Sequence, residues 1–336
     1  MLAPGLLILV LAALACLPLV ASQYLMIKLI PAIAYGIALL GLNLLFGYTG
    51  LLSFGHALYV AIGAYTAAVL TGKLQWLAFE GVLAVAVLVA MAIAVPLGLL
   101  CVRYTKIFFG MLTLAFAMLF HSFLFKFYDL TGGDSGMRVA RPALFGFTHE
   151  NLDKTSYLIG PFYWYCLALL VLLAWLMWRI VHSPFGLHLK AIRDNPRKAE
   201  YLGVTVRRFR LIAFVISAGY AAIGGAILGV TTGLADPELA YWAHSGTMVF
   251  MLVLGGFGNF FGPLLGAGLY IPLQGLVMSA TQYWRPVLGI TLVVIVILFP
   301  HGLIGLYGTL RGRWSRRTAA GGITAARQGR RPSEAA

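Results

Sequence analysis

Few side chains in this 336-residue chain are equipped for chemistry, and they gather in four places. Ser183–Arg210, SPFGLHLKAIRDNPRKAEYLGVTVRRFR, holds Lys190, Arg193, Arg197, Lys198, Arg207, Arg208 and Arg210 against two acids, Asp194 and Glu200. Such a surplus of cations suits docking to an aqueous partner better than proton transfer, since no nucleophile stands beside a base. Leu29–Gly72 contains no Asp, Glu, Lys or Arg, yet sets Asn43, Thr49, Ser53 and His56 among six glycines from Gly36 to Gly63. A second glycine-rich run, MVFMLVLGGFGNFFGPLLGAGLY, includes Gly255, Gly256 and Gly258. Between them, TGGDSGM (Thr131–Met137) places Gly132, Gly133 and Asp134 in one tight polar segment.

No cluster has metal-ligand spacing. Cys16, Cys101 and Cys166 are far apart in apolar surroundings and read as small buried hydrophobes, not as a disulfide framework. The phosphate-cradling GxxxxGK[ST] is missing, so the polypeptide is not expected to hydrolyse ATP itself.

The elements that position these groups are membrane helices. Of the residues, 61% are hydrophobic and 10% charged, with a mean hydropathy of +0.92, against about 25% charged in soluble domains. The net charge of +14 sits in loops and the tail, not on a face alternating with stacking aromatics, so nucleic acid is not the expected partner. Apolar runs near the ~20 residues of a bilayer span fall at 5–22, 29–47, 50–71, 82–101, 107–125, 161–181, 211–231, 245–258, 262–280 and 286–304. The fold class expected is therefore all-α, polytopic, with eight to ten transmembrane helices, some discontinuous. The first run is read as a membrane helix rather than a signal peptide, because MLAPG carries no Lys or Arg.

Placing the N-terminus, Arg103/Lys106, Arg179, Ser183–Arg210 and the tail on one side puts 17 of 24 basic residues there with three of ten acids. By the positive-inside rule that side is cytoplasmic and both termini lie inside. Residues 1–310 then form one transmembrane domain, with a cytoplasmic loop at 182–210 and a periplasmic loop at 126–160. Residues 311–336 are expected to be a disordered basic tail resting on anionic headgroups.

Within the charged loop, Ser183-Pro184 suits an N-cap and first-turn proline, opening a helix to about Asp194. Asn195-Pro196 repeats the signal, and Gly203 sits where a helix stops, giving a short helix Pro196–Leu202. Arg197 and Lys198 lie in its first turn and Glu200 toward its end, against the helix dipole at a cost of ~0.3–1 kcal/mol each. A helix so disfavoured on its own is read as a docking element.

In the charge-free stretch two physical readings stand. Glycines permit close helix packing, the reading preferred for them. Broken helices near the midplane also expose backbone to a polar solute. For Asn43, Ser53 and His56 both remain open. His56 and His121 are the titratable candidates within spans, and a lone intramembrane histidine is usually a hydrogen-bonded structural residue. No chain of charged groups crosses the interior as in proton-coupled carriers.

All four of these segments carry a resemblance. SPFGLHLKAIRDNPRKAEYLGVTVRRFRLIAFVISAGYAAIGGAIL is similar to the cytoplasmic loop and following helix of bacterial branched-chain amino-acid ABC transporter permeases of the LivM type. Leu42-Asn43-Leu44-Leu45, Gly47-Tyr48, Gly50, Leu52-Ser53 and Gly55-His56-Ala57 match that family's "LNLL-x-GY-x-G-x-LS-x-GHA". The second glycine run resembles its "VLGG-x-G-x-x-x-GP-x-LGA", and Thr131–Met137 its "LTGG-x-x-GL".

The resemblance spans about Ala34 to Leu306. It implies a non-enzymatic permease of the bacterial inner membrane without its own cofactor, ATP being bound by separate ABC ATPase subunits. Arg193, Pro196, Arg197, Ala199, Glu200 and Gly203 would couple to that ATPase. Asn43, Gly47, Ser53, Gly55, His56, Gly255, Gly256 and Gly258 are the pathway candidates.

A second, related permease subunit and a periplasmic substrate-binding protein are the other implied partners. Gly132, Gly133 and Asp134, most simply a surface turn, would help Arg138 and Arg141 receive the binding protein. The two glycine regions, each with a Phe-Gly before a helix (Phe54-Gly55, Phe261-Gly262), suggest an inverted repeat. The expected cargo is branched-chain or other aliphatic amino acids. Urea or short-chain amides are the alternative within the family, and an ion-coupled carrier, a channel or a scaffold the alternative outside it.

Overall fold

The computed structural model describes residues 23–76, 78–147 and 152–298. The expected first span at 5–22 and the basic tail at 311–336 lie outside the described residues, as does the end of 286–304. The described residues are mostly helical, with one two-residue antiparallel strand pair, Met137–Arg138 against Leu234–Ala235. Among the described residues, six helices are long and apolar enough to cross a membrane. Leaving aside the single turns Tyr128–Thr131 and Lys154–Tyr157, the α-helices in chain order are α1 Gln23–Asn43, α2 His56–Ala68, α3 Phe79–Cys101, α4 Ile107–Lys126, α5 Tyr163–Val181, α6 Pro184–Asp194, α7 Pro196–Tyr201, α8 Val206–Thr232, α9 Trp242–Gly255, α10 Gly262–Ala280 and α11 Trp284–Leu298.

Burial sorts them. The spans containing α1 and α8 are 78% buried, whereas those of α3, α4 and α10 are 33%, 28% and 22% buried. In α2, 12 of 13 residues are buried. So α1, α2 and α8 form the centre, and the apolar outer faces of α3, α4 and α10 are what lipid would cover. The centre is tight because side chains are missing where backbones meet. A Cβ on Gly63 of α2 would fall on the Ala222 carbonyl of α8, and one on Gly225 of α8 on the Val60 carbonyl of α2. This is the small-residue packing that membrane helices use in place of a hydrophobic driving force.

Several boundaries differ from the sequence reading. The fourth of these long helices starts at Lys154, not near 161, because Pro161 sits inside a π-helical turn, Leu158–Phe162, that carries the chain straight into α5. A wider turn has no i→i−4 bond at that point for proline to remove. The chain also enters α1 earlier than 29, and Lys28 and Pro31 are accommodated within that helix. Cys101 and Cys166 are buried free thiols.

Candidate functional site

The charged loop folds as two helices hinged at one residue. Pro184 opens α6 as expected, but Ser183 does not cap it: its hydroxyl donates backward to the Ile180 carbonyl at 2.6 Å. A serine at a helix–helix junction can serve either helix, and this one closes α5. Asn195 does cap α7, accepting from the Lys198 backbone N–H at 3.0 Å. Gly203, at φ +85°, closes it: the Gly203 N–H reaches the Glu200 carbonyl and the Val204 N–H the Ala199 carbonyl, at 2.9 and 3.0 Å. That is a Schellman ending, with its apolar contact supplied by Ala199, Ile192, Val204 and Val206. Pro196, Arg197, Lys198 and Glu200 are exposed around it. Tyr201 and Leu202 project from its end, 89% and 83% exposed.

The loop is tied to the membrane interior by Arg193, in the last turn of α6. Beyond Asn43 the first helix continues as a π-helical turn, Leu44–Tyr48, and stops at Gly50 (φ +75°), where the Leu51 N–H closes on the Leu45 carbonyl at 3.0 Å. The Gly47 carbonyl in that final turn accepts a 2.6 Å hydrogen bond from Arg193 Nη1. A cation thus caps the negative end of a helix that has no basic residue in its own last turn. The Arg193 stem lies against Gly50, and Lys190, one turn earlier, sits 5.4 Å from the Tyr48 ring.

Asn43 knits this break to the second one. Its Oδ1 accepts from the Gly258 N–H at 3.0 Å and its Nδ2 donates to the Asn259 carbonyl at 2.9 Å. Phe46 and Phe257 pair 4.9 Å apart beside it. A side chain on Gly47 would collide with Asn43 Oδ1 and the Gly258 backbone. Gly255 packs against the start of α10, and Gly256 (φ +104°) and Gly258 (φ +80°) make the turn between α9 and α10. Asn43, Gly47, Gly258 and Arg193 therefore meet at one place, and Gly255 and Gly256 support it.

Ser53, Gly55 and His56 lie elsewhere, at the start of α2. His56 is fully buried, with Nδ1 3.0 Å from Ser53 Oγ and Nε2 2.6 Å from Ser217 Oγ of α8. The Ala57 N–H reaches Ser245 Oγ of α9 at 2.9 Å, and the Phe54 N–H reaches Thr113 Oγ1 of α4 at 3.3 Å. Gly55 packs against the Thr113 backbone. Two donors exposed by the broken backbone here are thus met by hydroxyls from other helices, and the Gly55 N–H by the Ser53 hydroxyl at 3.2 Å. Nothing in the sequence marks Thr113, Ser217 or Ser245 for this task, since each reads equally as a small packing residue in a largely apolar helix. His121 differs: its ring lies 5.0 Å from Phe125 and 5.2 Å from Tyr241, and its Nε2 is buried with no hydrogen-bond partner. A third intramembrane histidine, His244, falls inside α9 because that helix begins three residues before the predicted 245. Its Nε2 is 3.5 Å from the Tyr35 hydroxyl.

At the end of the bundle opposite the charged loop, Thr131 Oγ1 donates to the Leu124 and Phe127 carbonyls, and Gly132 (φ +76°) and Gly133 (φ +53°) turn the chain out of α4. Asp134 is exposed. From there Met137–Arg138 pairs with Leu234–Ala235 beyond α8, and the Val139 N–H reaches the Gly233 carbonyl at 3.0 Å. Two cavities flank this crossing. One of about 570 Å³ lies between α2, α3 and α4, almost wholly apolar, with the partnerless Tyr65 hydroxyl in its wall. The other, about 310 Å³, is bounded by Arg138, Arg141, Lys154, Tyr157, Val139 and Val230 among others. No group of three metal-ligating side chains occurs among the described residues.

Comparison with known proteins gives a consistent outcome. Residues 24–298 match the family model described as "Branched-chain amino acid transport system / permease component". The chain is 31% identical over 282 residues to the high-affinity branched-chain amino acid transport system permease protein LivM of Escherichia coli K12, covering 79% of this chain and 66% of LivM. It is 26% identical over 287 residues to LivH of the corresponding system in Salmonella typhimurium, covering 81% of this chain and 91% of LivH. A shorter match, 29% over 124 residues and 35% of each chain, joins it to the autoinducer 2 import system permease protein LsrC of Klebsiella pneumoniae. The chain spans just under two thirds of the length of LivM. No solved structure matches.

Proposed function

The chain belongs to the branched-chain amino acid transport permease family, a group of polytopic membrane transport subunits, and from that premise we propose that it is the membrane permease of an ABC importer for branched-chain or other aliphatic amino acids. In this reading solute moves inward by alternating access, and separate ATPase subunits drive it. The charged loop faces the cytoplasm with both termini. A second permease subunit completes the pathway, and a periplasmic binding protein delivers cargo at the opposite end.

One observation carries the reading. A capped helix of under two turns presents an apolar, solvent-exposed tip (Tyr201, Leu202), and its loop is tied through Arg193 to the ends of two membrane helices. An exposed apolar tip on a rigid mount costs the free chain solvation and is what a partner's groove would bury. When α7 is displaced by that partner, α6 follows across one residue, and Arg193 pulls at Gly47 while Asn43 holds Gly258. The two breaks then move together.

The test is reconstitution of the permease with its ATPase, partner permease and binding protein in vesicles. ATP-dependent uptake of leucine is the expected result. Arg193→Gln removes a charge-assisted hydrogen bond worth ~1.5–3 kcal/mol, so uptake per ATP hydrolysed should fall at least about tenfold while hydrolysis persists. Uptake without ATP, or unchanged coupling in Arg193→Gln, would refute it.

A further inference from the structure

The cavity of about 310 Å³ at the end opposite the charged loop has a composition that the transport reading does not by itself explain. Arg138 and Arg141, from one short run, and Lys154, from the start of the next long helix, converge on it, and no acid is among its lining residues. Two of the cations are held by backbone carbonyls and the third is carried on a paired strand. Arg138 sits in the two-residue strand paired with Leu234–Ala235. Arg141 Nη1 donates to the Leu152 carbonyl at 2.8 Å, and Lys154 Nζ to the Thr232 carbonyl at 3.2 Å. One bond apiece on Arg141 and Lys154 leaves further donors, since guanidinium has five N–H groups and ammonium three. Among the described residues no carboxylate lies within salt-bridge distance of any of the three.

The remaining wall is apolar and faces the cations. Val139 and Val230 are buried, as are Tyr157 and Leu158, while Gly72 and Gly233 leave the floor without side chains. Lys154 lies directly over Gly233. Fixed cations opposite aliphatic walls suit a solute with a charged carboxylate at one end and a branched hydrocarbon at the other. The volume falls at the lower edge of small-molecule pockets, ~300–1,000 Å³. Its position at the mouths of the buried helices α2 and α8 puts it where a solute released on that side would first meet the permease.

We propose that Arg138, Arg141 and Lys154 form a carboxylate-binding site for small aliphatic acids and amino acids, with Val139, Val230 and Leu158 taking the hydrocarbon. The assignment of this site to transported cargo rests on the importer reading; the carboxylate chemistry does not. Selectivity in this site is for the charge first: a neutral isostere forfeits the ion pairing and leaves cations desolvated against an uncharged group.

The test separates binding from transport. Purified full-length permease is heated in detergent with isovalerate, L-leucine or isovaleramide. Isovalerate and leucine should raise the melting temperature, and isovaleramide, equal in shape but uncharged, should not. In Arg141→Gln and in Lys154→Gln the concentration of isovalerate giving half the shift should rise about tenfold, as for loss of one charge-assisted bond. The unliganded melting temperature reports whether each variant folds, and Lys154→Arg should restore most of the binding. Equal stabilisation by isovaleramide, or unchanged isovalerate response in both Gln variants, overturns the proposal.

In vesicles supplied with free leucine, the same variants should raise KM for uptake with little change in maximal rate. If only stimulation by the binding protein weakens, the cations serve an acidic side chain of that protein and the small-carboxylate site is overturned. Carboxylate binding without any leucine uptake by the wild type would overturn the importer reading and leave the site standing.

Discussion

Replacing His56 distinguishes a structural role from a proton-handling one, and the structure sets the size of the effect. The imidazole joins Ser53 Oγ at 3.0 Å to Ser217 Oγ at 2.6 Å in a fully buried position, and its ring meets Tyr59 edge-on at 6.1 Å. In His56→Ala, Ser53 keeps a partner, because the Gly55 N–H still donates to it at 3.2 Å. Ser217 loses its side-chain partner but, as a helical serine, can turn to the carbonyl four residues back. The cost is then one good hydrogen bond, about 1 kcal/mol, rather than two orphaned hydroxyls at ~1–3 each. Loss of the edge-on ring contact adds ~0.5–1.5 kcal/mol. A total near 1.5–2.5 kcal/mol, at about 2–4 °C per kcal/mol, predicts a melting temperature lower by roughly 3–10 °C.

His56→Gln, which can still bridge two hydroxyls but does not titrate, should lose less than half of that and keep leucine uptake within about threefold, under 1 kcal/mol. The assays are scanning fluorimetry of purified protein and uptake in vesicles across pH. Uptake that collapses in His56→Gln while stability is retained would refute the structural assignment, because only proton transfer would then separate the two side chains.

Other consequences can be checked alongside. Gly225→Val puts side-chain atoms onto the Val60 backbone, so it should cost at least ~1–3 kcal/mol and lower yield. Gly246→Ala, in a helix with open space around it, should be neutral or stabilising by up to ~1 kcal/mol; equal behaviour of the two would contradict the packing described. At Gly203, Asn should be tolerated and Val should cost ~1–2 kcal/mol locally. Hydrogen exchange at Leu202–Val204 reads this, and protection surviving in Gly203→Val would count against the Schellman ending. A Tyr201→Ser/Leu202→Ser double variant should leave the melting temperature unchanged while weakening ATPase association at least about tenfold, or 1.4 kcal/mol. Undiminished association would remove the tip from the interface.

What was legible in the chain was whatever local chemistry dictates. Asn195, Pro196 and Gly203 bracket α7 because a cap, a fixed φ and a left-handed residue each act within one turn. The long apolar runs announced membrane helices for the same reason. Illegible were the contacts whose acceptor is a backbone carbonyl. Arg193 meets Gly47 across 146 positions, and a carbonyl leaves no mark in residue type. Ser217 and Ser245 were hidden because serine in a membrane helix reads equally as a small packing residue. Ser183 misled because it can serve the helix behind it as well as the one ahead. The start at Lys154 was missed because Pro161 is a breaker only where an α-helical bond would have been.

The crossing of α2 and α8 sets how this molecule can move. Each helix seats a glycine on the other's carbonyl, Gly63 on Ala222 and Gly225 on Val60, so the pair is keyed like a bolt in its slot. Sliding or twisting either helix by a fraction of a turn would drive a Cβ-bearing neighbour into the opposing backbone. The pair is then a single beam, and any reshaping of the interior must pivot around it at its ends. One end of α2 is the unwound segment after Gly50; beyond α8 the chain runs through the two-residue strand. A molecule arranged this way keeps its axle rigid and lets the bearings give.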